Sequence, residues 1–323
     1  MTASFSRDDE DPIYPDEESN TPDSPTTPRD LFLHLRKSVV GQDRALRSFS
    51  VAAWRHHMGF RQGAVLITGQ TGTGKTMLAK AYARHCNLPL IHVNSTSLVA
   101  DGIKGQTFGE IFQSMFLMAQ KNYSLATRGV LVLDEVDKIF VSNPYASSIE
   151  TSLLSILDGT PWRSFDSEKK PALPGGCFKT DRLLVILIGS YTAVRQQHDQ
   201  RLGFGTDSQP SLSDISLDEM VPLADLRGRI STHVTVEPHT KKSLFTILNA
   251  ADGPMQTLRD SVPQWFLSLS SETKERLVAE TLAKGLGARY LWTRVAAISE
   301  ELVFDPPEKP GEYNGIIVQD RAA

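Results

Sequence analysis

The stretch Gly69-Gln70-Thr71-Gly72-Thr73-Gly74-Lys75-Thr76 carries the first decision about the fold. It matches G-x-x-x-x-G-K-[ST], in which glycines let backbone N–H groups turn inward around phosphate oxygens. A helix starting at its end adds partial positive charge. Lys75 is then placed to reach the outer phosphates of ATP, and the Thr76 hydroxyl to bind Mg²⁺. A chance match in a chain of this length arises about once in a hundred. The flanks strengthen the reading: an apolar run, 64–68 (AVLIT), precedes the loop and a helical pattern, 75–86, follows it. The competing reading is a glycine-rich turn with no ligand.

Working outward, 130–135 (VLVLDE) is an apolar run ending in two acids, Asp134 and Glu135. Charges at the end of a buried strand are costly unless paired or metal-bound. Asp134 would hold Mg²⁺ through water, and Glu135 would polarise the water that attacks the last phosphate. The alternative is a solvated acidic turn. Further runs at 90–93, 183–188 and 233–236 read as strands, and helical stretches lie between them at 75–86, 109–121 and 149–157. Continuously apolar strands alternating with helices predict an α/β fold, a parallel sheet sandwiched by helices. After residue 237 no strand pattern is read. The spacing at 241–250, 272–284 and 288–302 predicts a small all-helical second domain. Residues 159–182 and 191–220 read as long loops, of a length that is usually functional or disordered.

The chain has 323 residues, 40% of them apolar, which suits about two domains with real cores. The longest aliphatic run, 183–188, is far below the roughly 18 residues of a membrane span. The N-terminus has no apolar segment of a secretory signal. Two cysteines, Cys86 and Cys177, build neither a disulfide framework nor a four-cysteine zinc site. A soluble, cytoplasmic protein is expected. Residues 1–30 hold nine acids, two bases and five prolines, a net charge of −7; with the whole chain at −4, the rest carries +3. The first 30 residues read as a disordered acidic arm, either a solvated tail or an acidic docking peptide. A body near +3 gives no pointer to nucleic acid or to a membrane surface.

On these motifs the chain resembles the AAA+ ATPases, and within them the ClpX-type protein unfoldases, from about residue 38 to 301. The resemblance implies a P-loop large domain over 31–237, a helical lid over 238–304 and an irregular tail over 305–323. Val39-Val40-Gly41-Gln42 is similar to the family's adenine-pocket segment. With Gln70, Thr71, Gly72, Thr73, Gly74, Lys75, Thr76, Met77 and Asp134 it would hold the nucleotide. Ser190, after strand 183–188, falls where the family's sensor-1 lies. Leu226-Arg227-Gly228-Arg229-Ile230 resembles the segment of the arginine finger, placed at Arg229 with Arg227 as second choice. Gly287-Ala288-Arg289 resembles sensor-2. A guanidinium is permanently charged and pairs with phosphate oxygens in a fixed fork. A finger at a domain edge serves a neighbouring subunit, so the resemblance implies a homo-hexameric ring.

The family's unfoldases carry an N-terminal four-cysteine zinc domain; here the acidic arm stands in that place, so zinc binding is not implied. Their first pore loop presents an aromatic between glycines, where this chain has Gly102-Ile103-Lys104-Gly105. An aromatic grips polypeptide through a large, sequence-tolerant contact, and Ile103 is smaller and β-branched. Leu202-Gly203-Phe204 resembles the loop by which ClpX docks on its peptidase ring. The expected function is therefore an ATP-hydrolysing ring that remodels or unfolds protein substrates, with a Clp-type peptidase as a candidate partner. The alternative is an AAA+ regulatory ATPase that switches a partner without threading it. A nucleic-acid motor lacks a basic arm.

Overall fold

The computed structural model describes residues 25–99, 105–142, 145–163, 173–196 and 215–320. Among these the strands are β1 (Ala64–Gly69), β2 (Leu90–Asn94), β3 (Val130–Asp134), β4 (Trp162–Arg163), β5 (Cys177–Phe178), β6 (Leu184–Gly189), β7 (Ile230–Val236), β8 (Trp265–Leu269), β9 (Gly311–Tyr313) and β10 (Ile316–Asp320). The main sheet has the order β2-β3-β6-β1-β7, with every neighbouring pair parallel. The register aligns the C-terminal ends of the strands: Asn94 lies beside Asp134, and Thr68 beside Gly189 and Thr235. Loops leaving that edge therefore meet in one place.

The period of two along each strand sends alternate residues into two cores. Leu66, Leu131, Leu133, Val185 and Leu187 face α4 (Phe108–Met118) and the helix Ala146–Leu157. Val65, Ile67, Val132, Ile186 and Ile188 face α1 (Pro28–Leu35), α2 (Asp43–His57) and α3 (Lys75–His85). Both sheet faces are covered, so these strands are apolar without alternation. Reciprocal capping fixes helix starts, among them α1, opened by Thr27 with Asp30, and α4, opened by Thr107 with Glu110. The α1 cap corrects one boundary. Helix begins at Pro28, inside the span expected to be disordered, because Pro28 at the first turn and the Thr27 cap pre-form it. Likewise the loop expected over 159–182 is anchored by the antiparallel pair β4–β5, where Phe178 stacks on Phe112 with centroids 4.6 Å apart.

The C-terminal region is mainly helical, as expected, with helices Lys241–Leu248, Pro254–Ser261, Ser271–Lys284 and Ala288–Phe304. Two expectations need correction. A three-stranded antiparallel sheet, order β8-β10-β9, joins these helices, so the region is not built of helices alone. The tail after residue 304 is not irregular: Ile316 and Val318 of β10 enter the same core as Leu267, Leu269, Leu277, Leu291 and Val295. Trp265 fixes the returning chain by donating from Nε1 to the Pro307 carbonyl at 3.0 Å. Ile316 is 6% exposed and opposite Leu269. Ile316→Ala is expected to destabilise this region by about 2–4 kcal/mol, read as a lower urea midpoint. Among the described residues no helix is long and apolar enough to cross a membrane.

Candidate nucleotide site

The loop between β1 and α3 has Gly72 and Gly74 at φ +76° and +98°, values a side chain rarely adopts. Lys75 curls back and donates from Nζ to the carbonyls of Gly69 and Gln70, both at 2.7 Å. Thr73 Oγ1 donates to the Gln70 carbonyl at 2.8 Å. Gln42 braces the loop from behind. Its Nε2 donates to the carbonyls of Glu237 (2.8 Å) and Thr73 (3.4 Å), and its Oε1 accepts from the Glu237 N–H. Gly41, at φ +74°, lets this segment approach the Lys241–Leu248 helix: a Cβ there would come within 2.8 Å of Ser243 Cβ.

The two acids meet the loop at the end of β3. Asp134 Oδ2 faces the Thr76 hydroxyl at 3.4 Å, and Asp134 Oδ1 accepts from the Glu135 N–H at 2.9 Å. Burial pushes the Asp134 carboxyl up, but hydrogen bonds from His92 and the Glu135 N–H, with the charge of Lys75, outweigh it and hold the group below its ordinary value. Glu135 sits in the left-handed region, φ +59°. Its carboxylate accepts from Asn94 Nδ2 at 3.1 Å and pairs with Lys138 Nζ at 3.0 Å. Ser190 Oγ donates to Asp137 Oδ2 at 3.2 Å, and the Tyr191 N–H donates to the same oxygen at 3.0 Å. That bond points Ser190 at the first turn of the helix Val136–Ser142, directly after the acids.

The C-terminal region closes the site through backbone contact. The Ala288 N–H donates to the Gly72 carbonyl at 3.0 Å. A Cβ on Gly72 would come to 2.1 Å from the Leu286 carbonyl oxygen, and one on Gly287 to 2.5 Å from the Gly72 oxygen. Only two glycines allow this approach, and it carries Arg289 into the site. One cavity of about 580 Å³ is lined by Val40, Thr71 through Met77, Asp134, Glu135, Ser190 and Arg289. Gly41, Gln42 and Gln70 support it from behind.

Burial pushes the Lys75 ammonium down to about 8, against the raising influence of Asp134 and Asp137. Phosphate charge beside it would raise that value again, so binding takes up a proton above pH 8. ADP affinity is therefore expected to fall by up to roughly tenfold per pH unit above about 8, and to change little between pH 7 and 7.5. Fluorescent-ADP titrations across pH 7–9.5 check this.

Arg229 lies elsewhere. Its carbonyl accepts from the Ala64 N–H at the start of β1, the edge of the sheet opposite the loop. It forms a two-pronged pair with Asp158, Nε and Nη2 each at 2.8 Å, and donates from Nη1 to the Asp225 carbonyl. Arg227 pairs with Asp218 and donates to the carbonyls of Val221 and Pro222. Neither reaches the chain's own cavity. Gly105 closes the base of its loop, where Val99 N–H donates to the Gln106 carbonyl. Gly102, Ile103 and Lys104, and likewise Leu202, Gly203 and Phe204, lie outside the described residues.

Sequence reasoning missed His92, Asn94, Asp137 and Trp292. His92 and Asn94 touch the two acids from β2, and Trp292 lines the cavity one turn beyond Arg289. Their roles depend on the β2–β3 register and on how the C-terminal helix docks, neither of which has a local signal. Asp137 was visible two residues after Glu135 on a helix start.

The family model described as "ATPase family associated with various cellular activities (AAA)" matches residues 65–195. Proteins named "ATP-dependent Clp protease ATP-binding subunit ClpX" are similar over most of the chain. That of Borrelia duttonii is 25% identical, covering 91% of this chain and 78% of its own length. That of Treponema denticola is 26% identical, covering 90% and 80%. A ClpX 2 of Wolinella succinogenes is 26% identical, covering 87% and 78%. The parallel sheet, the glycine loop on β1 and the acid pair on β3 agree with these matches: the chain has a P-loop AAA+ fold, carries an AAA ATPase domain over residues 65–195 and is similar to ClpX over most of its length.

Proposed function

We propose that the chain works as a homo-hexameric ring that uses ATP and Mg²⁺ to remodel or unfold protein substrates in the cytoplasm, with a Clp-type peptidase as partner. The observation that carries this is the convergence of Lys75, Thr76, Asp134, Glu135, Ser190 and Arg289 on one cavity shared by the sheet and the C-terminal region. The donor set fits the ion: Thr76 and Asp134 offer hard oxygens 3.4 Å apart, and Gly74 leaves open space where a Cβ would point. A bound magnesium ion neutralises phosphate charge and orients the chain of phosphates.

The side chains divide the remaining work. Val40 and Gly41 line and shape the base pocket. Lys75 exchanges its two carbonyl partners for phosphate oxygens. Glu135 takes a proton from the attacking water, while Asn94 and Lys138 hold its carboxylate in place. Ser190 and Arg289 contact the terminal phosphate, and Arg289 does so from the lid, so its position depends on the hydrolysis state. Arg229, facing away from its own site, serves the site of the neighbouring subunit. A lid that follows its own nucleotide and a neighbour that reads it convert hydrolysis into mechanical work on a bound protein.

The test is ATP-dependent loss of fluorescence from a stable tagged reporter, with and without a Clp-type peptidase, and with Glu135→Gln as control. Unfolding that needs ATP and Glu135 supports the reading. ATP hydrolysis without any unfolding favours the regulatory reading, in which Ile103 in place of an aromatic fails to grip polypeptide.

A further inference from the structure

Asp134 ends a strand and carries a side chain with two free rotations, yet its two oxygens are separately addressed. Oδ1 accepts from the backbone N–H of Glu135. Oδ2 accepts from His92 Nε2 at 2.9 Å and faces the Thr76 hydroxyl at a weaker 3.4 Å. His92 reaches it from the edge strand: it pairs with Val132 in register, two residues before Asn94 meets Asp134. Both side chains are open to water, His92 37% and Asp134 25% exposed, so the bond is not imposed by close packing. An ionised carboxylate only accepts, so Nε2 carries the proton and the imidazole acts as a donor.

We propose that His92 is a positioning residue for Asp134 and thereby sets the affinity of the nucleotide site for its divalent cation. This rests on reading Asp134 as the residue that holds the ion. With Oδ1 tied to the backbone and Oδ2 tied to His92, the carboxylate is held from two sides beside Thr76 at the cavity wall. A carboxylate free to rotate pays for that order each time a cation binds. Partners that orient a metal-holding side chain typically contribute 10–100-fold in metal affinity. His92 does not line the cavity, so its contribution belongs to the cation and not to the nucleotide.

The test uses the full chain and ADP, which avoids turnover. ADP affinity is measured by calorimetry in EDTA and then against rising Mg²⁺. For His92→Ala, metal-free ADP affinity is expected to stay within about twofold, while the Mg²⁺ concentration for half of the metal-dependent gain rises about tenfold. His92→Gln, which keeps a donor at similar reach, is expected to restore most of it. Unchanged Mg²⁺ dependence in His92→Ala, or no recovery in His92→Gln, overturns the proposal. So does nitrogen coupling from His92 in the spin-echo spectrum of the Mn²⁺–ADP complex, which would make it a direct ligand. Asp134→Asn separates the two levels: if it leaves the Mg²⁺ dependence unchanged, the metal reading of Asp134 fails and the proposal falls with it.

Discussion

Glu135→Gln is expected to lower the steady-state ATPase rate by about 10²–10⁴-fold and to leave nucleotide affinity within about twofold. The amide keeps the size and shape of the acid. It can still meet Asn94, which now contacts the Glu135 carboxylate at 3.1 Å, and Lys138 is near. The backbone at φ +59° is equally tolerable for Glu and Gln, so the strand end should not rearrange. What the amide cannot do is accept a proton from water at neutral pH. The residues proposed to bind nucleotide, Lys75, the loop glycines and Arg289, are not touched by the substitution. Phosphate release and fluorescent-ADP titration measured on one preparation give both quantities. Turnover retained within a few fold would remove Glu135 from the chemistry.

Gly287→Ala is expected to have the next largest effect, although residue 287 carries no side chain. Its backbone sits at φ +61° and ψ −159°, a region that residues with a Cβ enter only at about 1–3 kcal/mol of strain. The added methyl carbon would also lie 2.5 Å from the Gly72 carbonyl oxygen and 2.7 Å from its carbon. Backbone on both sides leaves no flexible side chain to move. The contact must open, the Ala288 N–H to Gly72 bond is lost, and Arg289 is carried out of the cavity. A displacement of about 1 Å at a reacting centre can cost on the order of 100-fold in rate. Turnover is expected to fall by about 10–100-fold with far-UV circular dichroism unchanged. Arg289→Ala should reproduce most of that loss. A Gly287→Ala protein with near-normal turnover would show that the lid arginine needs no such docking.

The parts legible in the sequence are those whose physics is local. Gly72, Gly74, Lys75 and Thr76 act within one turn, and their spacing alone places them at a strand–helix junction. Asp134 and Glu135 follow directly on an apolar strand, a placement that the local sequence alone makes visible. What stayed hidden depends on contacts between distant residues. His92 and Asn94 become site residues only once β2 pairs with β3 in one register, since a slip of one residue would turn both away. Ile316 and Val318 look like tail residues after three prolines, and become core only when β10 pairs with β8 across nearly fifty residues. The run Trp265–Leu269 alternates buried and less buried positions as a strand should, but it follows Pro263 and is short enough to pass for a connection. The approach of Gly72 to Gly287 joins residues over two hundred apart. Each glycine was noticed for its motif, and neither motif tells that the two backbones touch.

Arg229 bears most directly on how the site is completed. It is held by Asp158 on the edge of the sheet opposite its own cavity, so a finger role requires a neighbouring chain. The decisive measurement is ATPase activity in a mixture of two inactive chains. Arg229→Ala keeps Glu135 but supplies no finger; Glu135→Gln supplies a finger but has no base. If sites are shared between neighbours, each variant alone is nearly inactive, and mixing restores a substantial part of the wild-type rate through sites that combine an intact Glu135 with a neighbour's Arg229. A mixture that shows only the sum of its two components, or an Arg229→Ala chain that hydrolyses ATP normally by itself, would contradict a ring of shared nucleotide sites.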